Sequence, residues 1–161
     1  MKRGVLTKAA INKACVAVAI AFAWGAAAQV AEARAPAPPL TELTIHAVDS
    51  TNCGWENTKG KAATTCDHGG TTLRVAVLEI GYGSNRVAWM SGGLLPRTAM
   101  YESALVCVSG GRYSWPCKPG QNAVGFVRYY KLDGQQSGLF QYQSTSTNAP
   151  YNKVSAQIMI R

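Results

Sequence analysis

The sequence predicts an all-β domain, most simply two packed antiparallel sheets with a closed barrel as the second arrangement. Three observations carry this. Seven stretches alternate apolar and polar residues or run continuously apolar at strand length. Glycine-rich corners, Gly69-Gly70, Gly92-Gly93 and Gly110-Gly111, punctuate them. After the N-terminal leader, no stretch repeats apolar residues with the period of an amphipathic helix.

The leader comes first. Lys2, Arg3, Lys8 and Lys13 form a basic head, Ala14 to Ala28 is a small-apolar run, and Ala31-Glu32-Ala33 supplies a small-x-small cleavage site. Residues 1–33 are expected to be a signal peptide, with Ala28 as the second cleavage choice. The alanine-rich run is too short for a membrane span. Residues 34–41 then read as a proline-rich, extended and solvated lead-in, and residues 42–161 as one domain.

Glu42 to Ser50 alternates Leu43, Ile45 and Ala47 against Thr44, His46 and Val48, a first strand. Residues 51–65 are polar and read as a loop. Residues 66–83 are the centre of the chain: a Cys66-Asp67-His68-Gly69-Gly70 corner feeds the run Leu73 to Ile80, apolar on both faces like a central strand. Arg86 to Met90 is a short strand, 94–99 has room for a helical turn, and Tyr101 to Val108 is another strand. Residues 112–122, with Trp115-Pro116 and Pro119-Gly120, are turn chemistry. Val124 to Leu132 is followed by Asp133-Gly134, which predicts a hairpin returning through Leu139 to Gln143. Residues 144–150 read as a polar loop, and Lys153 to Arg161 as a half-buried last strand.

Cys15 falls inside the leader, leaving Cys53, Cys66, Cys107 and Cys117. An even number in an exported chain favours disulfides, and C-x-x-C zinc knuckles are missing. Three connectivities are possible. The local pairing, Cys53–Cys66 and Cys107–Cys117, is favoured because each pair brackets one loop, for about 3 kcal/mol apiece. The formal charge of +8 includes four basic leader residues, and the remaining charge is spread singly. No basic stripe points to nucleic acid.

Gly54-Trp55-Glu56, Asp67-His68-Gly69-Gly70-Thr71-Thr72, Gly81-Tyr82-Gly83 and Tyr142-Gln143-Ser144-Thr145-Ser146-Thr147-Asn148 together resemble the YolA family of small exported proteins of bacteria and their prophages. The resemblance implies export and a common fold, and transfers no functional residue.

Candidate chemistry is sparse. His68 with Asp67 beside a glycine corner offers a general base, with Ser91 or Ser109 as nucleophile, but neighbours on a strand point to opposite faces and neither serine lies in G-x-S-x-G. Asp67, Gly69 and Gly70 are therefore expected to shape the corner, with His68 left facing a groove. A metal would need His46, His68 and Asp49 to converge, and no ligand spacing supports it. Neither metal nor cofactor is expected. Loop aromatics offer more: Trp55, Trp115, Tyr113 and Tyr151 are amphipathic rings suited to a sugar or a protein partner. The expected ligand residues are Trp55, His68, Tyr82 and Trp115. The expectation is a secreted, disulfide-stapled binding module for an extracellular glycan or protein; a small secreted hydrolase or toxin using His68 is the alternative.

Overall fold

The computed structural model describes residues 37–161. The leader expected over residues 1–33 lies outside the described residues. Among the described residues ten strands form two sheets: β1 (Glu42–Ser50), β2 (Gly54–Asn57), β3 (Leu73–Ile80), β4 (Gly83–Met90), β5 (Gly93–Leu94), β6 (Met100–Ser109), β7 (Arg112–Ser114), β8 (Ala123–Lys131), β9 (Gly138–Ser146) and β10 (Lys153–Ile160). A single 3-10 turn, Arg97–Ala99, occupies the stretch where a helical turn is expected.

Six strands in the order β2-β1-β3-β8-β6-β7 make a curled sheet, a half-barrel, and β10-β9-β4-β5 make the second sheet. All pairings between strands are antiparallel. β3 lies inside the larger sheet, flanked by β1 and β8, which is why its apolar run has no polar face. Its Leu73, Val75 and Val77 join Tyr130, Phe140, Tyr142 and Ile158 in the core between the sheets. Its Ala76 and Leu78 join Val106, Val127 and the half-buried Trp115 in a second cluster on the other face. Two apolar faces need two covers, and the loop carrying Trp115 is the second.

Both disulfides have the local pairing, Cys53–Cys66 and Cys107–Cys117. The first ties down a loop that the sequence leaves structureless but that contains β2. Beyond β2 this loop runs along β10: Thr64 N–H donates to the Met159 carbonyl, Met159 N–H donates to the Ala62 carbonyl, and Ala63 forms a parallel bridge to Met159. An edge strand that would otherwise offer unpaired N–H groups is thereby covered. The second disulfide sits beside β7, another short strand inside an expected loop, joined to β6 through Gly110-Gly111. Both glycines have positive φ (57° and 74°), the conformation a two-residue hairpin turn requires.

Three further expectations are corrected. The lead-in is docked rather than solvated: Leu40 is buried, its N–H reaches Ser146 Oγ, and Pro39 bridges to Tyr82. β8 and β9 do not form a hairpin. They lie in different sheets, because Asp133 Oδ1 accepts the N–H of Leu73 and Leu132 N–H reaches Leu73 O, tying the turn to β3. Finally, the alternation of β1 breaks at a bulge between Ile45 and Ala47. The inserted residue puts Ala47 on the outer face with His46, and sends Val48 into the core in its place.

Candidate functional site

The corner at 66–70 is built as its residue types require. Asp67 Oδ1 accepts the N–H of Gly69 at 3.3 Å, and Gly70 holds φ at 120°. A Cβ at Gly70 would meet Asn52 Oδ1 at 2.9 Å and Thr51 Cβ at 3.1 Å, so even a relaxed backbone would leave an alanine crowded.

His68 is corrected. It does not face a groove; it is 0% exposed. Its Nε2 lies 3.2 Å from Glu56 Oε2 and its Nδ1 lies 3.0 Å from Ser50 Oγ. Glu56 accepts four groups in all, with Lys61 Nζ and Thr65 N–H on Oε1 and Cys66 N–H and His68 on Oε2. Burial works against its charge, but the N–H groups of Cys66 and Thr65, with Lys61 and His68, outweigh it and hold the carboxyl well below the ordinary range. An ionised Glu56 can only accept, so Nε2 of His68 carries the hydrogen of that contact and Nδ1 faces the Ser50 hydroxyl. Serine, histidine and carboxylate thus meet in the order of a hydrolytic triad. The serine is 4% exposed and also accepts the N–H of Cys53, so this trio is a sealed strut between β1, β2 and the corner. Glu56 is the residue sequence reasoning passed over; its place beside Trp55 on a strand hidden inside a loop gave no signal.

Two of the aromatics, Trp55 on β2 and Trp115 in its loop, come together at one pocket. One cross-strand row on the outer face of the half-barrel reads Asn57 (β2), Ala47 (β1), Ala76 (β3), Tyr129 (β8). Its two middle members are the smallest side chains available, so the row forms a floor between taller walls. Trp55 rises on one side and meets Tyr129 edge-on with ring centroids 6.1 Å apart. Trp115 closes the end, its Nε1–H donating to Tyr129 Oη at 3.2 Å. His46, beside Ala47 at the bulge of β1, stands edge-on to Trp115 at 4.9 Å. Together they enclose a pocket of about 370 Å³. Burial, and secondly the charge of Lys59, lower the affinity of His46 for a proton, so no wall of the pocket is charged at neutral pH. Trp55 is half exposed at 52%, an accessible ring rather than a core one.

Tyr82 is not among the pocket residues. It packs edge-on against Phe126 at 5.5 Å, at the turn between β3 and β4. Tyr113 and Tyr151 are exposed singly. His46, His68 and Asp49 do not converge, and no cluster of three metal-ligating side chains occurs among the described residues. Tyr129, the partner of both tryptophans, lies on the strand expected over Val124 to Leu132, where no motif singles it out.

No curated protein and no solved structure matches this chain. No helix of the described residues is long and apolar enough to cross a membrane. Residues 35–160 match the model of a domain of unknown function, DUF4879, and the chain belongs to that family.

Proposed function

We propose that this protein is an exported binding module that takes a neutral sugar ring in the pocket of Trp55, Trp115, Tyr129 and His46. The observation that carries it is an aromatic-walled, uncharged pocket over an Ala47–Ala76 floor. A pyranose presents one apolar face, which an indole ring covers well, and an equatorial rim of hydroxyls. Asn57 and the Tyr129 hydroxyl stand at the pocket edge for that rim. A charged glycan would find no counter-charge here, so the reading is restricted to neutral rings. Export is supported by the leader pattern of residues 1–33 and by two disulfides, which persist in oxidising compartments. The likeness to the YolA family points the same way.

The test is a glycan array with the purified protein, followed by calorimetric titration of the best neutral oligosaccharide. Trp55→Ala should weaken binding about five- to tenfold, since a lost stacking contact of about 1–1.5 kcal/mol has that effect. Binding that survives both Trp55→Ala and His46→Ala overturns the pocket assignment. Hydrolysis of any array glycan, abolished by His68→Gln in a folded protein, would instead support the enzymatic alternative.

A further inference from the structure

A second constellation lies between the sheets, and the sequence reading did not single it out. Glu79 is fully buried on the core face of β3. Arg128 of β8 donates Nε to its Oε2 at 2.6 Å, Arg86 of β4 donates Nε to both oxygens at 3.2 and 3.3 Å, and Tyr142 of β9 donates its hydroxyl to Oε1 at 2.8 Å. One carboxylate therefore serves two guanidinium groups, both of whose ion pairs end on Glu79. The cluster carries one positive charge more than it can neutralise. Arg128 places Nη1 on neutral groups, Ser103 Oγ and Met100 Sδ. Arg86 directs its Nη2 to the carbonyl of Gly83 and remains 28% exposed.

Arg86 opens onto a cleft of about 500 Å³ beside β4, whose other walls include Leu95, Pro96, Met100 and Tyr130. Arg97, on the 3-10 turn, lines the same cleft, and none of the lining residues is acidic. The backbone is arranged to bring Arg86 there. β4 bulges between Ser84 and Val87, and Asn85 is held at a φ of 47°. Asparagine tolerates that conformation better than most side chains, and the bulge turns the following residue toward Glu79.

We infer that this cleft binds a small organic carboxylate, with the anion between Arg86 and Arg97 and an apolar body against Leu95, Pro96 and Met100. A planar guanidinium suits a planar carboxylate, and the unbalanced buried charge favours an anion over a neutral ligand. The apolar walls set an organic acid apart from an inorganic oxyanion, which would leave them uncovered. This site is separate from the aromatic pocket, and neither reading depends on the other.

The experiment titrates the purified protein with hexanoate, hexanol and sulfate at constant ionic strength, following melting temperature and heat of binding. Hexanoate should raise the melting temperature saturably, with hexanol and sulfate each at least about tenfold weaker. Arg97→Gln, an exposed change that leaves the Glu79 cluster intact, should weaken hexanoate about tenfold. Lys118→Gln, in the loop beside the second disulfide, should leave it unchanged. Equal effects of the two substitutions would reduce the attraction to general surface charge and overturn the site. Equal binding of sulfate and hexanoate would overturn the organic-carboxylate assignment, and no saturable effect of hexanoate would overturn both.

Discussion

The aromatic pocket and the arginine cleft are placed by the same device and filled in opposite ways. Each is built at a β-bulge, the one in β1 that sets Ala47 beside His46 on the outer face and the one in β4 that carries Arg86. At the pocket the bulge sets a small side chain beside a neutral ring on an outer face already covered by Trp115, and the walls carry no charge. At the cleft it delivers a cation to a buried carboxylate that already has a partner. The accessible pocket residues Trp55 and His46 are thus largely dispensable to the fold, whereas the cleft rests on a group the fold cannot lose. Stability and binding should separate cleanly at the first site and remain entangled at the second.

The sharpest way to break that contrast is Glu79→Gln. It preserves shape but leaves Arg128 and Arg86 facing each other without a counter-charge. Burial alone would favour the protonated carboxyl, yet Arg128, and then Arg86 and Tyr142, hold Glu79 ionised. Removing one partner of a buried pair costs about 3–5 kcal/mol, so a large fall in the urea midpoint is expected. A loss below about 1 kcal/mol would mean that the cluster is wetter than its geometry shows.

Next in size is Glu56→Gln, which weakens all four acceptor contacts around the sealed His68. A loss of about 2–3 kcal/mol is expected in chemical unfolding. The sign of its pH dependence follows from the lowered folded-state pKa. The unfolded state binds the proton more readily, so the contribution is complete above the ordinary value of 4.5 and is lost as pH falls below it. Stability measured from pH 6 down to pH 3 should therefore decline less steeply in Glu56→Gln than in the wild type. Parallel declines would remove Glu56 from the acid limb.

Gly70→Ala is expected to cost about 1–2 kcal/mol through its positive φ, with further crowding against Asn52. Thermal unfolding measures it directly, and a melting temperature equal to the wild type would mean the corner adjusts. This corner also marks how far the sequence could be read. Asp67, Gly69 and Gly70 announced a turn because their chemistry is local, and the two disulfides paired as loop size suggested. The long strands were equally plain, since alternation and β-branched content report burial directly. What could not be read depends on neighbours distant in the chain. Asp133-Gly134 is a good hairpin signal, yet the tertiary bonds of Asp133 and Leu132 to Leu73 redirect it between sheets. A bulge adds one or two residues and leaves no mark in composition, so strict alternation puts Ala47 and Val48 on each other's faces. His68 looked accessible because Glu56, its partner, sat in an unrecognised strand. Glu79 and Arg128 were legible in part: each shares the parity of core residues on its strand, and a charge at such a position calls for a partner.

The smallest expected effect tests the pocket through its histidine. His46 sits on the bulge with Nδ1 buried and without a hydrogen-bond partner among the described residues. Burial first, and then the charge of Lys59, lower its pKa below 6.5 in the folded protein. The sign is the reverse of a histidine that gains a carboxylate. Between the lowered folded value and 6.5 the unfolded state binds more protons, so stability rises with pH across that window and falls as pH drops through it. Because the ring is only partly buried, solvent screens the effect, and a change on the order of 1 °C in melting temperature between pH 7.5 and 5.5 is expected. His46→Phe keeps the edge contact with Trp115 and should remove that component alone. Binding offers a larger readout of the same event: a protonated ring brings charge into a pocket whose walls have none, so affinity for a neutral glycan should fall over the same interval in the wild type and stay level in His46→Phe. A wild-type affinity that does not change with pH, in a protein whose Trp55→Ala variant has lost binding, would place the ligand on Trp55 and away from the bulge.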